Sequence, residues 1–205
     1  MRRGLRLVGE FVLVNPRTGK VVRVEGLITR NFAKVIEKML QPRQSYGSNQ
    51  MISANLVDVG GNSFSAWIGG NASIMASSQY ASFLLGSAKF GSVTSVTLGL
   101  FFKVGKGSLS LSPDNYELAD PVQEIQASET TRQDEADKTI IIVTGSGTAN
   151  TNFNCTEVGA YLRVLEGGLK DSRVTRDILI DHATVAGLSY SVGDPISIQY
   201  KLTLA

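Results

Sequence analysis

The chain has 205 residues, with 20 Lys and Arg, 18 Asp and Glu, one Cys, one His and one Trp. At 42% apolar and 19% charged residues it can bury a core, which excludes global disorder and fits one domain spanning 1–205. One Cys excludes an internal disulfide framework, one Cys with one His is too few soft ligands for a structural zinc site, and a net charge of +2 demands no polyanionic partner.

Met1-Arg2-Arg3 looks like the basic start of a secretory signal, but Arg6 and Glu10 break the apolar stretch that follows. Nowhere do apolar residues run near the roughly 18 needed to span a bilayer. A soluble chain made in a cytoplasm, with no membrane span, is expected. Leu5, Leu7, Phe11 and Leu13 fall at period two, with a slip near Gly9. Asn15-Pro16-Arg17-Thr18-Gly19 is turn chemistry, and Val22 and Val24 continue the alternation on a return strand. Phe32, Val35, Ile36, Met39 and Leu40 then lie at helical spacing. They predict one short amphipathic helix near residues 31–41, capped by Asn31 and stopped by Pro42.

Residues 44–102 hold only two formal charges, Asp58 and Lys89, among many Ser, Gly and Asn. They also carry large apolar side chains, including Met51, Leu56, Phe64, Trp67, Tyr80 and Phe83, which linkers seldom do. Short strands and tight turns are expected, forming an elaboration of the domain or a subunit interface, with ordinary core or loop as the alternative. Later, Val93, Val96, Leu98, Leu100 and Phe102 suggest a strand. Ile140-Ile141-Ile142-Val143 suggests one buried on both faces. Val158, Ala160, Leu162 and Val164 alternate with Gly159, Tyr161 and Arg163. Ile196, Ile198, Tyr200, Leu202 and Leu204 alternate with polar residues after a Gly193-Asp194-Pro195 turn. The predicted class is all-β, an antiparallel β-sandwich of jelly-roll-like form.

Charge is unevenly laid out. Residues 1–43 carry ten basic residues against three acidic (+7), residues 44–110 three against one (+2), and residues 111–205 seven against fourteen (−7). Opposite ends of this kind can orient one subunit on another, or sit on solvated faces of one compact domain.

Candidate chemistry is sparse. Asp181-His182 is the place to look for a histidine base, but no Gly-x-Ser-x-Gly elbow accompanies it, and neighbours in a strand point to opposite faces. A surface or interface histidine is the expectation. Lys103-Val104-Gly105-Lys106-Gly107-Ser108 resembles half a phosphate loop, yet Leu100 stands where the first glycine belongs and Gly107 where magnesium needs Ser or Thr. It reads as a loop. Gly145-Ser146-Gly147 lacks the third glycine of a dinucleotide fingerprint, and Asp134-Glu135-Ala136-Asp137 does not match a calcium loop and reads as solvated. Arg2, Arg3 and Arg6 have no stacking platform for nucleic acid, which is an unlikely partner. Glu157 and Arg176 could form a buried ion pair across neighbouring strands, and such a pair would set register rather than catalyse. No catalytic, cofactor or metal residue is predicted, and no enzyme.

Thr156-Glu157-Val158-Gly159-Ala160-Tyr161, then Arg176-Asp177, then Val192 to Thr203 with its Gly-Asp-Pro-Ile start, resemble the carboxy-terminal strands of small β-rich structural proteins of tailed bacterial and archaeal viruses. Leu111-Ser112-Pro113-Asp114-Asn115-Tyr116-Glu117-Leu118 is similar to the proline-containing loop that precedes those strands, and Asn31-Phe32-Ala33-Lys34 to their helix start. Thr175 and Ala160 depart from the pattern, where alanine and leucine are expected. The resemblance implies a structural virion protein of a tail, fibre or capsid surface, located in the virion, working as a homo-oligomer with other virion proteins and without cofactors. The alternative is a receptor- or glycan-binding module in which Trp67, Tyr46 and Tyr80 stack on sugar faces.

Overall fold

The computed structural model describes residues 6–40, 52–68, 99–108, 110–165 and 175–205. In chain order the elements are β1 (Leu7–Asn15), β2 (Lys20–Glu25), β3 (Leu27–Ile28), α1 (Arg30–Leu40), β4 (Ile52–Val57), β5 (Ser63–Ile68), β6 (Gly99–Gly105), β7 (Pro121–Asp134), β8 (Thr139–Thr148), β9 (Phe153–Leu165), β10 (Thr175–Tyr190) and β11 (Pro195–Leu204). The all-β class holds, with one helix among the described residues.

Among the described residues, nine strands form one antiparallel sheet in the order β2-β1-β11-β8-β7-β6-β9-β10-β3, and β4-β5 form a separate hairpin. The two ends of that order are neighbours in the chain. Residues 20–25 pair with β1, Gly26 intervenes, and Leu27 and Ile28 pair with His182 and Asp181 of β10. One extended segment therefore bonds both margins and brings the sheet nearly to a closed barrel. On the far side β7 does the same work: residues 121–126 pair with β6 and residues 127–134 with β8, across a register shift between Ala127 and Glu129. The ladder runs on through β7, so β6 and β8 belong to one continuous sheet.

The interior follows from period two. Phe11 and Leu13 of β1, Val158, Ala160, Leu162 and Val164 of β9, and Ile196, Ile198 and Tyr200 of β11 all point into one buried cluster. Tyr200 packs its ring 4.9 Å from Phe11 and 6.5 Å from Phe102. At roughly 1.5–3 kcal/mol for each large side chain buried, this cluster is the main force holding the sheet curled. The β1–β11 register passes through Gly9 without a shift, so the expected slip there is absent. β8 is less enclosed than its Ile run suggested, since Ile140 and Ile141 are only half-buried.

In α1, Val35 is buried, and Phe32 packs on the same cluster. Its cap is Thr29 and not Asn31: the Thr29 hydroxyl accepts from the Phe32 amide at 3.4 Å, and the helix begins at Arg30. Asn31 lies two residues past the cap, already inside the helix. Its side chain instead donates to Val57 O (2.8 Å) and accepts from Val57 N (3.1 Å), pinning the helix to β4. Pro42 lies outside the described residues. Ala54, Leu56, Phe64 and Ala66 of the β4–β5 hairpin join the central cluster. In this part of the low-charge region the apolar surface serves the chain's own core, and residues 69–98 lie outside the described residues.

Candidate functional site

Polar groups concentrate where β1, the β2–β3 segment and β10 meet. A bulge between Leu179 and Asp181 shifts the phase of β10, so that Ile180 and Asp181 both turn inward. Asp181 is fully buried, and its Oδ2 accepts from the Tyr200 hydroxyl at 2.9 Å. Its carboxylate lies between two glycines: a Cβ on Gly9 would sit 2.9 Å from Asp181 Cγ, and one on Gly26 2.7 Å. The Asp181 side chain thus fills the gap that Gly9 leaves in β1. Burial pushes its pKa up to about 7, aided by the Glu25 charge and opposed by the Tyr200 hydroxyl and the His182 amide.

His182 faces the other way, as the strand geometry requires, but it is buried and is not a surface residue. Leu27 O can only accept, so His182 Nδ1–H donates to it at 3.0 Å, and Nε2 accepts from Asn115 Nδ2 at 3.0 Å. Burial lowers its pKa, against the Leu27 carbonyl and the Glu157 charge. The neutral ring is held on both nitrogens and serves as a peg between β3, β10 and the 110–118 loop. Around it, Thr29 N donates to Ile180 O (2.9 Å), Thr29 Oγ1 to Leu179 O (2.7 Å) and Gly26 N to Gly9 O (2.8 Å). Further along the seam, Lys20 Nζ reaches Gly187 O, and Asn15 Nδ2 donates to Ser189 O at 2.9 Å. Arg17 then pairs with buried Asp194 at 2.6 Å, and the Ser191 amide and Arg17 hold that carboxyl below its usual range.

The outer face of β6, β9 and β10 carries a second cluster of Phe101, Tyr161, Leu179 and Leu118. The 110–120 loop is fastened over it. The Tyr161 hydroxyl donates to Glu117 and accepts from Leu118 N at 3.2 Å. Lys103 Nζ lies 2.9 Å from Glu117 and 4.6 Å from the Tyr161 ring centroid. Arg163 bonds Asp177 through Nε (2.6 Å) and Nη2 (2.9 Å) while its guanidinium covers the Phe101 ring.

Glu157 does not pair with Arg176. Buried at the end of the same face, it accepts from Gly107 N (3.0 Å), Ala119 N (3.0 Å) and Asp120 N (2.7 Å). Register explains the difference, because Glu157 lies opposite Thr184 and Arg176 lies opposite Val164. Arg176 meets Asp58 at 2.9 Å instead. Burial would raise the Asp58 pKa, but the Asn62 and Gly60 amides and Arg176 outweigh it and lower the value.

Lys103, Val104 and Gly105 belong to β6, so only residues from Lys106 onward are loop. Gly145-Ser146-Gly147 runs within β8. The acidic run forms the exposed β7–β8 turn, in which Asp134 pairs with Arg132 and Glu135 with Lys138. No group of three or more metal-ligating residues occurs among the described residues. No described helix is long and apolar enough to cross a membrane. Trp67 lies in β5 with its backbone opposite Ser53, and Tyr46 and Tyr80 fall outside the described residues. Sequence reasoning missed the Asp181 slot and the Glu157 clamp. For the first, the sequence shows only the two glycines, Gly9 in β1 and Gly26 between β2 and β3, and nothing that marks Asp181 as their partner.

The class defined here is an antiparallel, nearly closed β-barrel with polar seams. No family model matches the chain, and comparison with curated proteins and with solved structures found no match.

Proposed function

We propose that the chain is a structural virion protein that self-assembles or docks on a viral tail or capsid, its curled sheet forming a jelly-roll-like sandwich about the β7 corner. The observation that carries this reading is where the polar groups of the resembling motifs go. Glu157, Tyr161, Asp177 and Asp194 all bond the chain's own backbone or side chains. The loop motif is used the same way, through Asn115 on His182 and Glu117 beneath Tyr161. Such residues build a rigid body for assembly. The basic front and acidic back meet partly inside one chain, through Arg17–Asp194 and Arg30–Asp114, so in this reading shape and apolar contact set the subunit register. The test is molar mass by light scattering after size exclusion over a concentration series. A defined closed oligomer is expected. A monodisperse monomer throughout the series overturns self-assembly.

A further inference from the structure

Asp181 Oδ1 is the one buried side-chain oxygen or nitrogen without a hydrogen-bond partner among the described residues. The carboxylate is fully buried and walled by glycine backbone on two sides; Oδ2 takes the Tyr200 hydroxyl, and the His182 amide is the other donor that favours its charge. A neutral carboxyl tolerates such a place, whereas an ionised one leaves a poorly compensated charge there. The place is also mechanically critical. Backbone closure beside it consists of the two-residue β3–β10 ladder with the Thr29–Ile180 and Gly26–Gly9 bonds. Behind β3 the chain runs directly into α1.

The charged and titratable groups around it can be named element by element. From β2, Glu25 is a like charge whose field acts on it, and from β11 Tyr200 supplies the hydroxyl. β1 presents Gly9, whose neighbour Glu10 bonds Arg23 on the opposite face. β3 brings Leu27 and Ile28, with no titratable side chain. On β10 itself, His182 points away and is held neutral between Leu27 and Asn115. No cation is paired with Asp181 among the described ion pairs.

We propose that this seam is a proton-operated latch: a protonated Asp181 lets β3 and α1 stay docked on β10, and ionisation of Asp181 loosens them. The sign follows from linkage. In the closed seam the carboxyl holds its proton to about 7, against 3.8 when solvated. Between these values the open form binds fewer protons than the closed one, so opening increases with pH and levels off above about 7. The latch is firmest in acid.

The test is amide hydrogen exchange at Gly26 and Thr29 between pH 5 and 8.5, corrected for intrinsic rates, in the full chain. Protection of both amides is expected to fall up to about a hundredfold between pH 5 and 7 and then flatten. Amides of the β11–β8 ladder are expected to hold steady over the same range. Asp181→Asn removes the pH dependence at the seam. Tyr200→Phe, which removes the hydroxyl that favours the ionised form, moves the flattening point to higher pH. Protection that does not vary with pH in the wild type, or the same slope in Asp181→Asn, overturns the proposal. Should Asp181→Asn not fold, direct carbon NMR titration of the wild-type carboxyl decides: a midpoint near 7 supports the latch and one near 4 overturns it.

Discussion

Replacing Glu157 with Ala removes the acceptor for three backbone amides at once: Gly107, Ala119 and Asp120. Hydrogen bonds to a charged group contribute about 1.5–3 kcal/mol each when sealed from water. Ala119 and Asp120 are exposed as residues, so water entering the vacated space recovers part of that. About 1 kcal/mol per amide remains, which places Glu157→Ala at about 3 kcal/mol of lost stability. Glu157→Gln separates the contributions. Its one carbonyl oxygen can take the place of Oε1, which serves Gly107 and Asp120, but its NH2 then faces the Ala119 amide, donor against donor. One bond is lost and two are kept but weakened, for about 1–2 kcal/mol. Equilibrium urea unfolding followed by circular dichroism measures both variants. Hydrogen exchange at the three amides locates the loss. The clamp argument fails if Glu157→Ala costs less than about 0.5 kcal/mol, or if Gln is as damaging as Ala.

Two further outcomes are expected. Gly9→Ala drives a Cβ into the Asp181 carboxylate and costs about 2 kcal/mol by overpacking, whereas Gly9→Ala with Asp181→Ala restores the space. A double-mutant cycle in denaturant should show coupling above about 1 kcal/mol, and simple additivity would sink the slot assignment. Cys155 is buried, and that burial pushes its thiol pKa up to about 12 against the Glu157 and Gly105 backbone bonds. The native thiol should stay inert to a disulfide reagent at pH 8 and react at once in urea; full reactivity in the native state would contradict the packing of β9.

The strands were legible wherever one face is apolar and the other polar. β11 and β1 show period two because each has one face on the core, and α1 shows its face through Phe32, Val35 and Ile36. Gly9 was misread as a slip because the group completing its face comes from β10, far along the chain and turned inward by a bulge. Such bulges leave no local trace. Glu157 was given the wrong partner for a related reason: charge type suggests a cation, while register decides which groups are near. The cap went to Asn31 instead of Thr29 because either residue can cap, and the choice rests on which hydroxyl or amide the tertiary fold also needs. Sheet order itself is a long-range property, and period two says nothing about it.

The β1–β11 ladder couples Leu7 to Leu204 and Val14 to Ser197. A ribosome making this chain therefore releases the first strand long before its partner exists. Until β11 arrives, β1 has one unpaired side, and the interior lacks Ile196, Ile198 and Tyr200. Topologies dominated by such distant pairings close slowly, because chain entropy is lost before the contacts that repay it can form. The same arrangement makes closure all-or-none, since the final strand docks between β1 and β8 and sets both registers at once. A polypeptide truncated ahead of β11 would hold two open edges in the middle of its sheet, each a template for pairing with a neighbouring chain.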